Sequence, residues 1–234
     1  MATLTYLPLE RLRVRRPVDR VAFVRDLCRG KRVLDLGCYD ETALVKEGTP
    51  HWLHGQIASV AASVLGVDSA EALPPEGVKT GTNSRIIRGD VMDLAGVVEM
   101  DAVDLVVAGE LIEHLPDTLG FMSGLRERFP GRELVLTTPN ATSLTNLLLA
   151  FAGRENSHRD HLQIYSFKTL NTLCQRAGFT EWEIRPYYMY YTEMMLRTGP
   201  VARTLVRAAQ AGVNLGEALF PLLAGGLVLH VRRS

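Results

Sequence analysis

Glu110, Glu113 and His114 are the residues of this chain whose types and spacing could do chemistry together. They lie in Val106-Val107-Ala108-Gly109-Glu110-Leu111-Ile112-Glu113-His114-Leu115-Pro116, where an apolar run of strand character changes at Gly109 to helical spacing. Separations of i, i+3 and i+4 predict that the three side chains share one face of a single helical turn. Two carboxylates and an imidazole so gathered can hold a cation, or act as general acid and base. The plainer reading is a solvated first turn, since acidic residues favour helix N-termini through the helix dipole alone. Position favours the chemical reading, because open α/β sheets bind ligands at the carboxyl ends of their strands.

A second series of acids points to the same edge. Arg32-Val33-Leu34-Asp35-Leu36-Gly37-Cys38 reads as a buried strand running into a glycine turn, and Gly37 allows close backbone approach to a ligand. Asp68 and Asp90 each end a further apolar run. An acid after the second strand can accept hydrogen bonds from both hydroxyls of a ribose, and one after the third can meet the exocyclic amine of adenine. A dinucleotide is disfavoured: the G-x-G-x-x-G fingerprint is broken by Tyr39 and Glu41, and Asp40 with Glu41 would repel a pyrophosphate.

The elements that must position these residues follow from periodicity. Residues 1–16 read as a loose lead-in over the active site, Val18 to Cys28 as a helix closed by Gly30, and Asp40 to Leu65 as mostly helical before the strand Val64 to Asp68. A weakly helical stretch precedes the third strand, Arg85 to Asp90. The fourth strand leads into Glu110, and a helix runs from Leu119 to Phe129. Leu134 to Thr138 is the fifth strand, and helices follow over Thr142 to Phe151 and Phe167 to Ala177. Trp182 to Tyr190 and Gly226 to Arg232 are the last strands, with one or two apolar helices over Met194 to Leu223 between them. Alternating strands and helices predict an α/β fold, a doubly wound, mostly parallel, seven-stranded Rossmann-like sheet with a helical insert before the last strand. The whole of 1–234 reads as one domain, with 1–30 as lead-in and first helix and 192–224 as the insert. That insert reads as a homodimer interface or extra core, with a lid over an apolar substrate or a membrane-surface patch as alternatives.

Composition narrows the classes. The 26 basic and 26 acidic residues cancel, and 47% hydrophobic with 22% charged residues is ordinary for a globular chain. A nucleic-acid surface would need a basic stripe, and only Arg11, Arg13, Arg15, Arg16 and Arg20 cluster. Cys28, Cys38 and Cys174 include no CxxC pair, which fits a reducing compartment. No signal peptide is evident, and the longest apolar run, Ala218 to Leu229, is broken by Pro221 and Gly225-Gly226. A soluble, cytoplasmic protein is expected.

With these motifs in order along nearly the whole chain, the sequence resembles the class I S-adenosylmethionine-dependent methyltransferases. Val33 to Cys38 is similar to that family's first motif, and Gly66-Val67-Asp68, Gly89-Asp90-Val91 and Thr138-Pro139-Asn140 to its later ones. Tyr39 departs from it, standing where the family has the second glycine of D-x-G-x-G. The resemblance implies S-adenosylmethionine as cofactor, bound by Arg20, Asp35, Gly37, Asp68, Ser69, Asp90, Val91 and Gly109. Gly37 would pack on the methionine part, Asp68 would bind the ribose, and Asp90 and Val91 the adenine. Gly109 backbone would line the sulfonium, and Arg20 would meet the cofactor carboxylate.

The E-x-x-E-H segment further resembles two subgroups, the ubiquinone-type O-methyltransferases and the small-RNA 3′-terminal 2′-O-methyltransferases. In the latter, both glutamates, the histidine and a later histidine hold a divalent metal. His161 is the position that matches this last ligand, so the implied metal set is Glu110, Glu113, His114 and His161. Ligand softness suits Mn²⁺, Zn²⁺ or Fe²⁺ at least as well as Mg²⁺; the resemblance favours Mg²⁺. Without metal, His114 or His161 would be the general base and Glu113 its orienting partner. His158 could replace His161, while His51 and His54 read as helix-surface residues. The tyrosines Tyr187, Tyr188, Tyr190 and Tyr191 could stack on an acceptor ring or form half-buried strand surface. The expectation is an O-methyltransferase acting on a small-molecule hydroxyl, a sugar or specialised metabolite, with no nucleic-acid partner. Its rivals are a C- or N-methyltransferase with a histidine base, a non-catalytic cofactor-binding protein and a nucleotide-dependent oxidoreductase.

Overall fold

A computed structural model describes residues 4–39 and 48–233. Expectations for the acidic turn at Asp40 and Glu41, and for helix starting there, lie outside the described residues. The apolar runs become strands β1 (Arg32–Leu36), β2 (Ser63–Asp68), β3 (Val78–Lys79), β4 (Ser84–Arg88), β5 (Leu105–Gly109), β6 (Glu133–Pro139), β7 (Glu181–Tyr187) and β8 (Gly226–Arg233). They form one sheet in the order β3-β4-β2-β1-β5-β6-β8-β7. β4, β2, β1, β5 and β6 run parallel, and β3 and β8 run antiparallel to their neighbours. The expected seven strands become eight among the described residues, because the segment before β4, expected to be weakly helical, instead folds back as β3.

Period-two alternation explains how the central strands bury both faces. Leu34, Leu36, Val106, Ala108, Leu134 and Leu136 point to one side, Val33, Val64, Leu105, Val107 and Val135 to the other. The first side is covered by α3 (Thr118–Arg128) and α5 (Phe167–Arg176), the second by α1 (Arg20–Leu27) and α2 (Leu53–Ala58). Side-chain caps set where helices begin: Asp19 accepts from Ala22 N, Asp117 from Gly120 N, and Ser166 makes a capping box with Thr169. α4 (Leu144–Phe151) follows β6 and is capped by Ser143. The insert before β8 is α6 (Thr192–Arg197), α7 (Pro200–Leu219) and a short 3₁₀ turn.

Two expectations are corrected. The lead-in makes its polar contacts on α5 and β7: Tyr6 Oη is 2.8 Å from Thr172 Oγ1, Glu10 pairs with Lys168 at 3.0 Å, and Arg15 pairs with Glu183 at 2.9 Å. These partners hold it there, not over Glu113 and the histidines. His54 is a core residue, 1% exposed, bonded through Nδ1 to Asp35 Oδ2 and through Nε2 to Thr80 Oγ1, each at 2.9 Å. His51 is exposed, as expected. Among the described residues no helix is long and apolar enough to cross a membrane.

Candidate active site

The parallel register sets Gly37, Asp68, Asp90 and Gly109 at one edge of the sheet, where β1, β2, β4 and β5 end. Gly37 has φ +67°, and a Cβ there would lie 2.8 Å from Leu111 Cδ1, so glycine is required for conformation and for space. Its N–H donates to Val67 O, tying the turn to β2. Asp68 is fixed as an acceptor, with Oδ2 receiving Tyr39 N–H at 2.8 Å and Oδ1 receiving Ala70 N–H at 2.9 Å. Tyr39 is not among the residues with positive φ, so its conformation does not demand the glycine that the family places there. Ser69 and Asp90 are exposed beside this edge and Val91 is half-buried. Asp35 is 2% exposed and its carboxylate meets His54, so it supports the turn from inside β1.

At the end of β5 the chain departs from the expected helical turn. Glu110 takes the left-handed φ of 53°, and only Ile112–His114 form a turn, of 3₁₀ type. The cause is the neighbouring strand: Glu110 N–H donates to Thr137 O at 2.9 Å, extending the β5–β6 ladder by one residue before the chain swings away. Glu110 and Glu113 therefore point differently. Glu110 Oε1 accepts from Thr137 Oγ1 at 2.8 Å and from Tyr187 Oη at 2.9 Å. Arg20 Nη1 lies 3.7 Å from that oxygen, donates to Thr137 Oγ1 at 3.2 Å and sits over the Tyr187 ring. Arg20 and Glu110 are thus brought together, a pairing absent from the sequence reading.

Glu113 is fully buried; Oε2 accepts from Thr138 Oγ1 at 3.1 Å and Oε1 has no protein partner. Its backbone carbonyl accepts from Leu162 N at 2.8 Å and Gln163 N at 3.2 Å, which pins the distant loop and carries His161 to it. Gln163 is itself locked, donating to Leu115 O and Thr118 Oγ1 at 2.9 Å, with Tyr165 Oη 2.7 Å from its Oε1. His114 Nδ1 lies 3.2 Å from Asp160 O, a contact that makes Nδ1 the donor and leaves Nε2 with its lone pair. One ligand atom each from Glu113, His114 and His161 lie within 4.8 Å of one another. His158 faces the same space, its ring centroid 5.7 Å from that of His161. Glu110 lies outside this group, for the backbone reason above. Asn140 ties the site down from behind, donating through Nδ2 to Leu222 O and Ala224 O.

Burial, and then the charge of Glu110, push the Glu113 carboxyl up to about 8. Burial and the neighbouring His114 and His158 push His161 below the ordinary imidazole value. Both shifts favour the uncharged forms of Glu113 and His161. Glu113 Oε1 and His161 Nδ1 are both buried without a protein partner. Two such orphaned polar atoms, which become metal ligands once deprotonated, fit a divalent cation together with the freed Nε2 of His114 by donor type and by number.

A cavity of about 610 Å³ opens beside Glu110, lined by Arg20, His51, Asn156, Tyr188, Tyr190 and Met194. Tyr187 is buried, anchors Glu110 and borders the cavity, and Tyr188, Tyr190 and Tyr191 continue its wall. A larger cleft of about 740 Å³ lies at the opposite, amino-terminal edge of the strands, near Ser63 and Ser84, and is lined by none of Arg20, Asp68, Asp90, Glu110, Glu113, His114 and His161. The roles of His54 and Tyr187 were not legible in the sequence because each acts through a partner distant in sequence. A helix-surface histidine and a core histidine have the same local pattern.

A family model described as a methyltransferase domain matches residues 9–184, well over half of the chain. Among solved structures, the chain is similar to a SAM dependent methyltransferase from Archaeoglobus fulgidus, with 18% identity, TM-score 0.51, and 90% of this chain and 91% of that one covered. A second similar structure is small RNA methyltransferase HEN1, with 13% identity, TM-score 0.56, and 96% of this chain against 27% of that one. A third, from Thermotoga maritima and described as a possible histamine N-methyltransferase, has 12% identity, TM-score 0.55, and 92% against 87% coverage. At these identities the likeness is one of fold. No curated protein matches the sequence.

Proposed function

The chain belongs to the S-adenosylmethionine-dependent methyltransferases, and from that premise we propose that it methylates a hydroxyl of a small molecule, a sugar or a specialised metabolite, with a divalent cation held by Glu113, His114 and His161. The observation that carries the proposal is the pair of orphaned, buried polar atoms, Glu113 Oε1 and His161 Nδ1, beside a histidine whose tautomer is set by Asp160 O. A bound cation supplies Lewis acidity that makes a neighbouring hydroxyl easier to deprotonate.

The protein's own part is alignment. Methyl transfer from a sulfonium is an in-line displacement, so its rate depends on placing the acceptor oxygen opposite the departing sulfur. Gly37, Asp68, Ser69, Asp90, Val91 and the Gly109 backbone would hold the cofactor along the strand ends. Arg20, already positioned by Thr137 and Glu110, is the cation available to its carboxylate. Tyr188, Tyr190 and Met194 give the cavity apolar walls, which suits a small, partly apolar acceptor better than a nucleic acid.

A second reading is favoured by the lowered basicity of His161. A neutral imidazole at physiological pH can accept the acceptor's proton directly, with Glu113 orienting it. That chemistry would also serve a C- or N-acceptor.

Calorimetry separates the two. S-adenosylhomocysteine is titrated into wild type and Glu113→Ala, and Mg²⁺ or Mn²⁺ follows. Cofactor binding in both proteins, with a metal signal lost only in the variant, is the expected result. Cofactor binding with no metal response in wild type transfers the proposal to the histidine base, and absence of cofactor binding refutes both.

A further inference from the structure

α7 has two opposite faces with different fates. Its inner face carries Gln210 and Glu217, seven residues apart and both buried. Gln210 Oε1 accepts from Tyr191 N at 2.7 Å, Gln210 Nε2 donates to Met189 O, and Glu217 Oε2 accepts from Met189 N at 3.1 Å. Gly216 seats α7 on α4, since a Cβ there would lie 2.6 Å from Leu144 Cδ2. The outer face carries Val201, Leu205, Ala208, Gly212, Leu215 and Leu219, at alternating separations of four and three residues. At 100° per residue these six fall within a narrow stripe opposite Gln210. Val201, Leu205, Leu215 and Leu219 are 80, 69, 62 and 65% exposed, and nothing lies within 4 Å of a Cβ placed on Gly212.

We propose that this stripe is the interface of a two-fold dimer, in which α7 of one copy lies antiparallel on α7 of the other. Four-three spacing is the pattern that keeps a helix seam facing a second helix. A two-fold axis through position 210 sets Val201 against Leu219, Leu205 against Leu215 and Ala208 against Gly212, so large residues meet large and small meet small at the crossing. The surface is self-complementary, as an isologous contact must be. Antiparallel pairing also aligns the helix dipoles favourably. Phe220, 62% exposed, extends the patch at the helix end. These five large side chains offer on the order of 600 Å² per copy, most of the roughly 800 Å² each partner of a standard interface contributes. A membrane-surface helix would carry lysines and arginines along both borders of its apolar face; here the borders are Ala202, Thr204, Ala209 and Ala211, with Arg207 the one exposed basic residue between Val201 and Leu219 among those described. Because the inner face of α7 holds Met189 and Tyr191, the dimer would brace the wall of the cavity beside Glu110.

The test is sedimentation velocity on the full chain at tens of micromolar, with anionic and neutral vesicle flotation in parallel. Wild type sediments as two copies, while Leu205→Glu and Leu215→Glu sediment as monomers with unchanged circular dichroism. Mixing Leu205→Glu with Leu215→Arg restores a dimer. Under mild oxidation the double variant Leu205→Cys/Leu215→Cys cross-links between copies and Leu205→Cys alone does not, since residues ten apart on a helix are about 15 Å from their own symmetry mates. A monomeric wild type, a dimer indifferent to Leu205→Glu, cross-linking by Leu205→Cys alone, or vesicle binding by a monomer would each overturn the proposal.

Discussion

Replacing Glu113 by glutamine should remove most of the pH sensitivity of the unloaded protein's stability. The buried carboxyl titrates at about 8 in the folded chain against an ordinary 4.5, because burial and Glu110 both oppose its charge. The folded state therefore holds a proton that the unfolded state has released throughout the window from 4.5 to about 8. Stability must fall as pH rises through that window, and level off above it. One pH unit of displacement is ~1.36 kcal/mol, so the loss approaches about 5 kcal/mol, or on the order of 10–20 °C in Tm for a chain of this length. Glutamine keeps an acceptor for Thr138 Oγ1 and cannot ionise. Thermal melts in chelator from pH 5 to pH 9 should show the wild type losing stability and the variant losing much less. Glu217, buried and pushed up to about 7, contributes a slope of the same sign to both proteins, so the difference between the curves isolates Glu113. Added Mn²⁺ should stabilise wild type most at alkaline pH, where the ligand is already deprotonated. Parallel curves for wild type and variant would refute the reasoning.

Two further substitutions test the scaffold. Gly226→Ala would put a Cβ 1.9 Å from Tyr187 Cζ, displacing the ring that holds Glu110 through its hydroxyl; a loss of roughly 1–3 kcal/mol by denaturant unfolding is expected, with a weaker acceptor KM. His54→Ala leaves the buried Asp35 carboxylate without its partner, and the expected cost, roughly 3–5 kcal/mol, should appear as a lower urea midpoint; a loss below about 1 kcal/mol would show that Asp35 is not held by this pair.

Most of the sheet was legible because its signal is local. Val33 to Leu36, Val64 to Val67 and Leu134 to Leu136 are short apolar runs closed by glycine, acid or proline, and pairing followed from their alternation with helices. β3 was missed because two residues pairing with β4 have no periodicity to read. The histidine cluster could be placed only by resemblance, since His161 reaches Glu113 through backbone bonds from Leu162 and Gln163, which depend on the fold and not on spacing.

The clearest divergence between pattern and structure is at Glu110, and its origin is the backbone between β5 and β6. An i, i+3, i+4 pattern implies a shared face only if the backbone between is helical. One extra ladder bond to Thr137 forces Glu110 into the left-handed region, and the two glutamates separate into different tasks. Glu110 joins Arg20, Thr137 and Tyr187, a satisfied network beside the cavity. Glu113 stays buried with an oxygen unspent, beside a His161 nitrogen that likewise lacks a partner. A satisfied acid stabilises its surroundings and an unsatisfied buried one costs stability until a cation or proton reaches it. The same strand end thus holds one glutamate that positions and one that is poised to bind.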